Sequence, residues 1–482
     1  MTADATPYAR HVPESSVLYR IVAENLDAFR GEVHERGKYL PEYVEREFAA
    51  YLDCGRLEHG FARLKCGDCG HEKLLAFSCK RRGFCPSCCG RRMNEAEHRL
   101  MEELFPRQAA RQWVLSIPIP LRFLCARNRS LINRLVRIFA EAIEQLIRKK
   151  LRQRGINRPR SGGVLFIQRI GGALNLNVHF HVIFLDGAYS DCPETPAKLN
   201  FHDLAGDLRS EDIAATVKKI ALRAIKMLQK QGLIDDGTGA SDALDVEPDG
   251  IGLCDGASIK SLIAYGERAG QRVRRIRLNM NETEPRIRGE LVAEMHGFNL
   301  KADKLVKAHQ RWKLARLVRY VARPPVALER LVMADDGKSV RYLMKNPWSD
   351  GTTEILLSGV ELVEKLSAAV PLPRGHLVRY LGVLAPNAAW RRSVVLVPKP
   401  KARDPSGKVR ASATQRVSWA QLASRAFGLD LNKCEMCGGL VRRIAVIRDP
   451  KVIAKILAHL ARPLRAHGPP VRPEPHRELF AN

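Results

Sequence analysis

Two imidazoles, His179 and His181, sit two residues apart in Leu174–Gly187, LNLNVHFHVIFLDG, and are the side chains here best suited to bind a divalent ion. On an extended backbone they share one face and lie roughly 7 Å apart at their α-carbons, close enough to converge on one cation. A second set is made of thiols. Cys66-Gly-Asp-Cys69 and Cys85-Pro-Ser-Cys88 give C-x2-C-x15-C-x2-C, in which each pair forms a turn aimed at one point. Together they predict a closed tetrahedral Zn2+ site, structural because four sulfurs leave no open position. Cys54, Cys79, Cys89 and His59 are surplus: they substitute into that shell, build a second site or simply pack. Cys434 and Cys437 are half of a further zinc site, with His459 or thiols from elsewhere as the missing ligands.

A third candidate is Tyr320. At 100° per residue, Leu314, Leu317, Val318 and Val321 cluster on one helix face, while His309, Lys313, Arg316 and Tyr320 share another. A tyrosine on a basic outward stripe suits a phenolate that attacks a phosphate, since the cations gather the anion and stabilise the developing charge. The same position also suits an amphipathic packing residue.

These groups need elements to hold them. Leu174, Leu176, Val178, Phe180 and Val182 alternate with Asn175, Asn177, His179 and His181, which predicts a strand with one face on a core. GGVLFIQRI precedes it, and Gly171-Gly172 between two apolar runs signals a two-residue hairpin turn. That register pairs Gln168 with Asn175 and leaves Gln168 about four residues, on the order of 13 Å, from His179. Gln168 is then a DNA-facing or supporting residue, and the third metal ligand stays open, with His296 as a candidate. Gln112–Pro120 reads as a strand ending at prolines. Ser130–Arg154 and Glu211–Gln231 read as helices, as does Lys301–Ala322, which is stopped by Arg323-Pro324-Pro325. The class this predicts is α+β, an antiparallel sheet covered by helices.

Eighty Lys and Arg against 52 Asp and Glu leave a net charge of +28. That excess is self-repelling unless a polyanion meets it, and nucleic acid is the usual one; the blander account is charge that only keeps the protein dispersed. The first residues are polar, and no run of about 18 apolar residues occurs, so neither a signal peptide nor a membrane span is expected. Seven of the twelve cysteines crowd into residues 54–89, which in such a chain reads as reduced, metal-binding thiol.

With FSCKRRGFCPSCCGRR, QRIGGALNLNVHFHVIFLDGAY, RYVARPPVALERL, KNPWSDGTT and RYLGVLAPNAAWR, the chain resembles the rolling-circle (HUH-type) insertion-sequence transposases, in particular their ISCR-like, single-tyrosine branch. The resemblance implies an HUH endonuclease-like sheet with Mg2+ or Mn2+ at His179 and His181. It also implies Tyr320 as nucleophile, a 5′-phosphotyrosine intermediate, and single-stranded DNA at element ends as substrate. Asn175, Asn177, Gln168, Lys313, Arg316 and Arg323 are the DNA-contact candidates. Some members carry a second tyrosine four residues away, where this chain has Arg316; a second protomer in a homo-oligomer, or reuse of Tyr320, would then complete two cleavages. A bacterial cytoplasmic, nucleoid-associated location follows from the same reading.

The expected layout is a helical segment at 1–53, a zinc-binding domain at 54–94 and a catalytic domain at 95–330 with an insertion at 235–290. A further transposase part at 331–392, a basic linker at 393–415 and a Cys-x-x-Cys module with tail at 416–482 form the C-terminal extension. A relaxase or replication initiator shares the His-pair and tyrosine chemistry. A non-catalytic zinc protein that binds DNA, or a metallophosphoesterase without the tyrosine, would use only part of these features.

Overall fold

A computed structural model describes residues 12–191, 199–231, 233, 250–259, 262, 264–265, 269–270, 284–345, 351–396 and 431–460. The linker at 397–415, most of the 235–290 insertion, residues 346–350 of the KNPWSDGTT segment and the tail after 460 lie outside them. The chain divides into two compact units. Among the described residues, one comprises those within 53–78 and 432–460; the other comprises those within 12–52 and 79–431.

The larger unit is built on the histidine strand, Leu176–Leu185. Its neighbours are Gly162–Ile170 and Ala110–Ser116, and the seven-stranded sheet runs Val378–Gly382, Gly162–Ile170, Leu176–Leu185, Ala110–Ser116, Phe298–Val306, Val292–Met295, Arg286–Gly289, antiparallel throughout. The alternation works as the pattern requires. Leu176, Val178, Phe180, Val182 and Phe184 are buried in a core shared with the helices Arg129–Gln153 and Ser210–Gln229. The opposite face is covered as well: Val164, Phe166, Ile183 and Leu185 pack with Leu314, Leu317, Val318 and Val321 of the helix Arg311–Ala322. This is an α+β fold in which an antiparallel sheet is flanked by helices.

Two expectations need correction. The helix expected from Lys301 begins only at Arg311, because Phe298–Val306 is a strand whose Leu300 and Ala302 face the core beside Ala110–Ser116. The hairpin loop is also longer than two residues. The Gly171 N–H donates to the Asn175 carbonyl at 2.8 Å, Leu174 takes a left-handed φ of +55°, and an irregularity falls between Gln168 and Ile170. The shift brings Gln168 directly opposite His179.

A buried ion pair fixes the sheet's middle. Arg111 Nε lies 2.7 Å from Asp186 Oδ1, with side chains 3% and 2% exposed, and Arg111 Nη1 donates to the Ala302 carbonyl at 2.9 Å. Stripping one partner strands a buried charge, so Asp186→Ala should lower stability by about 3–5 kcal/mol in urea unfolding. A loss under 1 kcal/mol would mean the pair adds little.

The smaller unit has little core. Its three-stranded sheet is ordered Val441–Ile447, Phe61–Cys66, Glu72–Ala76, and its buried apolar cluster is Leu57, Phe61 and Ile453. A unit this poor in apolar burial needs another staple. No helix among the described residues is long and apolar enough to cross a membrane.

Candidate active site and metal centres

Two groups of thiols gather among the described residues, and both are consistent with structural Zn2+. The expected set of Cys66, Cys69, Cys85 and Cys88 is divided between them. Cys66 and Cys69 join Cys434 and Cys437 in the smaller unit, while Cys85 and Cys88 join Cys79 in the larger, the atoms within each group lying within 4.8 Å of one another. Four sulfurs about 2.3 Å from one ion sit about 3.8 Å apart. The Cys66–Cys437 and Cys69–Cys434 sulfurs are each 3.5 Å apart, and Cys79–Cys88 are 3.3 Å apart.

The local backbone explains the division. Cys66–Cys69 and Cys434–Cys437 are each followed by a glycine in the left-handed region, Gly70 at φ +73° and Gly438 at φ +74°, which closes a tight turn under the sulfurs. Cys85–Cys88 instead opens the helix Pro86–Arg99, with Pro86 at its first position. The recurring C-x-x-C-G was the signal in the sequence that joins residues 66–70 to 434–438. The N–H groups of Cys69 and Asp68 draw the Cys66 thiol down to about 7. Gly439 N–H pulls Cys437 the same way, but the crowding Cys69 and Cys66 sulfurs win and push it up to about 12. Four thiols so close cannot all ionise without a cation among them. His59 pairs with Asp53 at 3.2 Å and Cys89 Sγ points at the Gly83 carbonyl, so neither joins a group; His459 joins none either.

On the sheet, the His179 and His181 rings stand 5.0 Å apart, and the Tyr320 ring lies 6.2 Å from His181. Gln168 and Ser116 flank His179; Phe166 and Val114 flank His181. His179 Nδ1–H donates to the Asn177 carbonyl at 2.7 Å, which leaves its lone pair at Nε2. The Gln112 Nε2 amide nitrogen lies 2.9 Å from His181 Nδ1 and donates to it; a metal at His181 Nε2 would require the amide turned so that its oxygen accepts from Nδ1–H. Burial, then the neighbouring charges of Arg122 and Arg323, lowers the pKa of His179. Burial, then His179, Arg323 and Lys304, brings His181 down to about 3. Both imidazoles are therefore neutral near pH 7, the form that ligates metal.

Gln168 ties this face to the tyrosine helix: its Nε2 donates to the Val321 carbonyl at 2.8 Å, one residue past Tyr320. Three cations stand against the Tyr320 ring. Arg323 is 4.8 Å, Lys345 5.3 Å and Lys304 5.5 Å from its centroid. The basic stripe of the sequence reading is different. Lys313 and Arg316 flank the exposed Trp312 at 5.4 and 5.8 Å, whereas Arg323, expected only as a DNA contact, stands against the Tyr320 ring. Lys304 and Lys345 were missed because they come from a strand and a segment far from the helix. Asn175 sits in the hairpin loop, and Asn177 follows on the strand with its Oδ1 buried and without a partner among the described residues. His296 lies in the turn before Phe298–Val306 and forms no ligand group with the pair. Among the described residues no third His, Cys, Asp or Glu completes a group with His179 and His181.

Residues 21–117 match the family described as a transposase zinc-binding domain of the IS91 type, and residues 162–392 match the one described as "Putative transposase", Y2_Tnp. The first spans the thiols Cys54–Cys89 and the second spans the histidine strand and the tyrosine helix. No curated protein and no solved structure matches the chain. Such a family assignment implies DNA binding and an enzyme of the transposase or nuclease type. The chain is a transposase-family protein in which an IS91-type zinc-binding domain precedes a transposase domain.

Proposed function

We propose that the chain nicks and rejoins single-stranded DNA at the ends of an insertion sequence, with Tyr320 as nucleophile, in rolling-circle transposition. The observation that carries this reading is the Tyr320 ring 6.2 Å from His181, with three cations against it. A phenol needs such surroundings to attack a phosphodiester, and a packing tyrosine does not.

His179 and His181 would hold a divalent ion between them. The donor set fits one: both imidazoles are neutral, the Asn177 Oδ1 atom is a buried acceptor without a partner among the described residues, and Gln168 faces His179 across the ladder. Gln168 is the third donor in this reading, through its amide oxygen, since its nitrogen is engaged by Val321. Two imidazoles suit Mn2+ better than Mg2+, which prefers all-oxygen shells. Such an ion would supply Lewis-acid polarisation of the scissile phosphate.

The residues of the chain do the rest. Arg323, Lys304 and Lys345 gather the phosphate. Tyr320 Oη forms a bond to phosphorus while the bond from phosphorus to the 3′-oxygen breaks; the phenolic proton goes to solvent and the departing oxygen takes one up. The products are a free 3′-OH and a 5′-phosphotyrosine that keeps the bond energy for strand transfer. In this reading the two thiol groups bind Zn2+ and hold the fold.

Replacing His179 and His181 together by alanine should remove Mn2+-dependent nicking of a labelled single-stranded oligonucleotide, a loss of at least about a hundredfold. Unchanged nicking in Mn2+ would place the metal elsewhere.

A further inference from the structure

Beside the tyrosine helix, wholly within the larger unit, lies a cleft of about 530 Å3. Six arginines line it: Arg82, Arg92, Arg99, Arg169, Arg323 and Arg330, against one carboxylate, Glu95. We propose that this cleft holds an unpaired stretch of the DNA strand next to the bond that is cut, its phosphates gripped by arginines of the zinc-knuckle loop and the helix Pro86–Arg99. The inference rests on the reading of the chain as a DNA-strand nickase and adds where the strand lies and in what form.

The bonding of these guanidinium groups argues for an anion. Some arginines elsewhere in the unit meet carboxylates, as Arg111 does with Asp186, and others meet carbonyls, as Arg311 does with Phe105; what marks the cleft is six arginines lining one space. Several in the cleft spend their donors on neutral carbonyls. Arg82 donates to Gly375 at 2.6 Å, Arg330 to Gly172 at 3.1 Å, and Arg169 to Ala126 and Ala368 at 3.0 and 3.2 Å; Arg92 donates to Lys80. Carbonyls orient a guanidinium without cancelling its charge. Arg92 Nε and Arg169 Nε are moreover buried with no partner among the described residues. Such donors match phosphate oxygens in number and geometry.

Size selects the form of the ligand. A cleft in the range that takes a small molecule admits a nucleotide or so, and excludes a double helix whose major groove alone is about 12 Å wide. Position selects the place. Gln168, which faces His179, and Val321–Pro325, which follow Tyr320, form part of its wall.

The test uses the full chain carrying Tyr320→Phe, so that binding is read without covalent chemistry. Affinity for a single-stranded oligonucleotide and for a blunt duplex of the same sequence is measured by anisotropy across a KCl series, before and after Arg92→Ala with Arg330→Ala. For two lost phosphate contacts the single-strand salt slope should fall by about 1.4, with duplex binding unmoved, and lysine at both positions should restore the slope. An unchanged single-strand slope, or an equal loss on duplex, overturns the proposal. Photocrosslinking of the chain without the arginine changes to a 4-thiothymidine oligonucleotide gives a check independent of folding. Crosslinks within residues 82–99 or 321–330 support the cleft, and crosslinks confined to other segments refute it. A slope that falls in a protein whose wild type forms no adduct would leave the cleft standing and remove the tyrosine chemistry; adducts with an unchanged slope would do the reverse.

Discussion

Tyr320→Phe should give a protein that binds its oligonucleotide as the wild type does and forms no covalent adduct with it. The substitution removes one oxygen. The ring remains, packed against the apolar cluster under the helix and faced by Arg323, Lys345 and Lys304, so neither the helix nor the cationic surround has reason to move. Affinity should therefore stay within about 0.5 kcal/mol, roughly twofold. Adduct yield on denaturing gels should fall below detection, because the attacking phenolic oxygen is gone. Tyr342 is fully buried under Arg330, and Tyr380 lies under Arg99 and Arg391. Persisting adduct in the variant would move the nucleophile to one of them.

Cys434→Ser with Cys437→Ser should reduce bound zinc from two ions per chain to one. Loss of these thiols leaves Cys66 and Cys69 with half a tetrahedron. Among the described residues the smaller unit has only a few buried apolar side chains to fall back on, Leu57, Phe61, Leu64 and Ile453, whereas a structural zinc contributes on the order of 10–16 kcal/mol to folding in small zinc peptides. Residues 441–460 should then become open to limited proteolysis, while the group at Cys79, Cys85 and Cys88 keeps its ion and the histidine sheet stays folded. Atomic emission together with mass mapping of the cleavage sites checks this. Two ions retained, or both lost at once, would contradict the grouping of thiols.

The sequence disclosed periodicity well and register poorly. Strict alternation from Leu174 to Val182 marks the histidine strand, and leucine and valine spacing marks the helix that carries Tyr320; both are local signals that tertiary packing leaves intact. Gln168 was misjudged because Gly171-Gly172 suggests a two-residue turn, whereas the chain spends five residues, Gly171–Asn175, with Leu174 left-handed. A register set by a loop's conformation is invisible to residue spacing. Lys301–Val306 was taken into the helix because its lysines fit either period; its place between Ala110–Ser116 and Val292–Met295 decides for strand. The thiols misled by proximity in sequence. Cys85–Cys88 is nearer to Cys66–Cys69 than Cys434–Cys437 is, yet the shared glycine after each turn carries the pairing. Lys304 and Lys345 reach Tyr320 from separate segments, and nothing short of the fold brings them there.

One measurement bears most directly on the central claim. The chain is incubated with Mn2+ and a single-stranded oligonucleotide spanning an end of its element, the DNA is trimmed by nuclease, and the tryptic peptides are sequenced by mass spectrometry. Trypsin does not cut Arg323 before Pro324, so the informative fragment is Tyr320–Arg330, YVARPPVALER. A nucleotide linked through phosphate to Tyr320 in that fragment is the expected result. Attachment at Tyr342, at Tyr380 or at no tyrosine would contradict it.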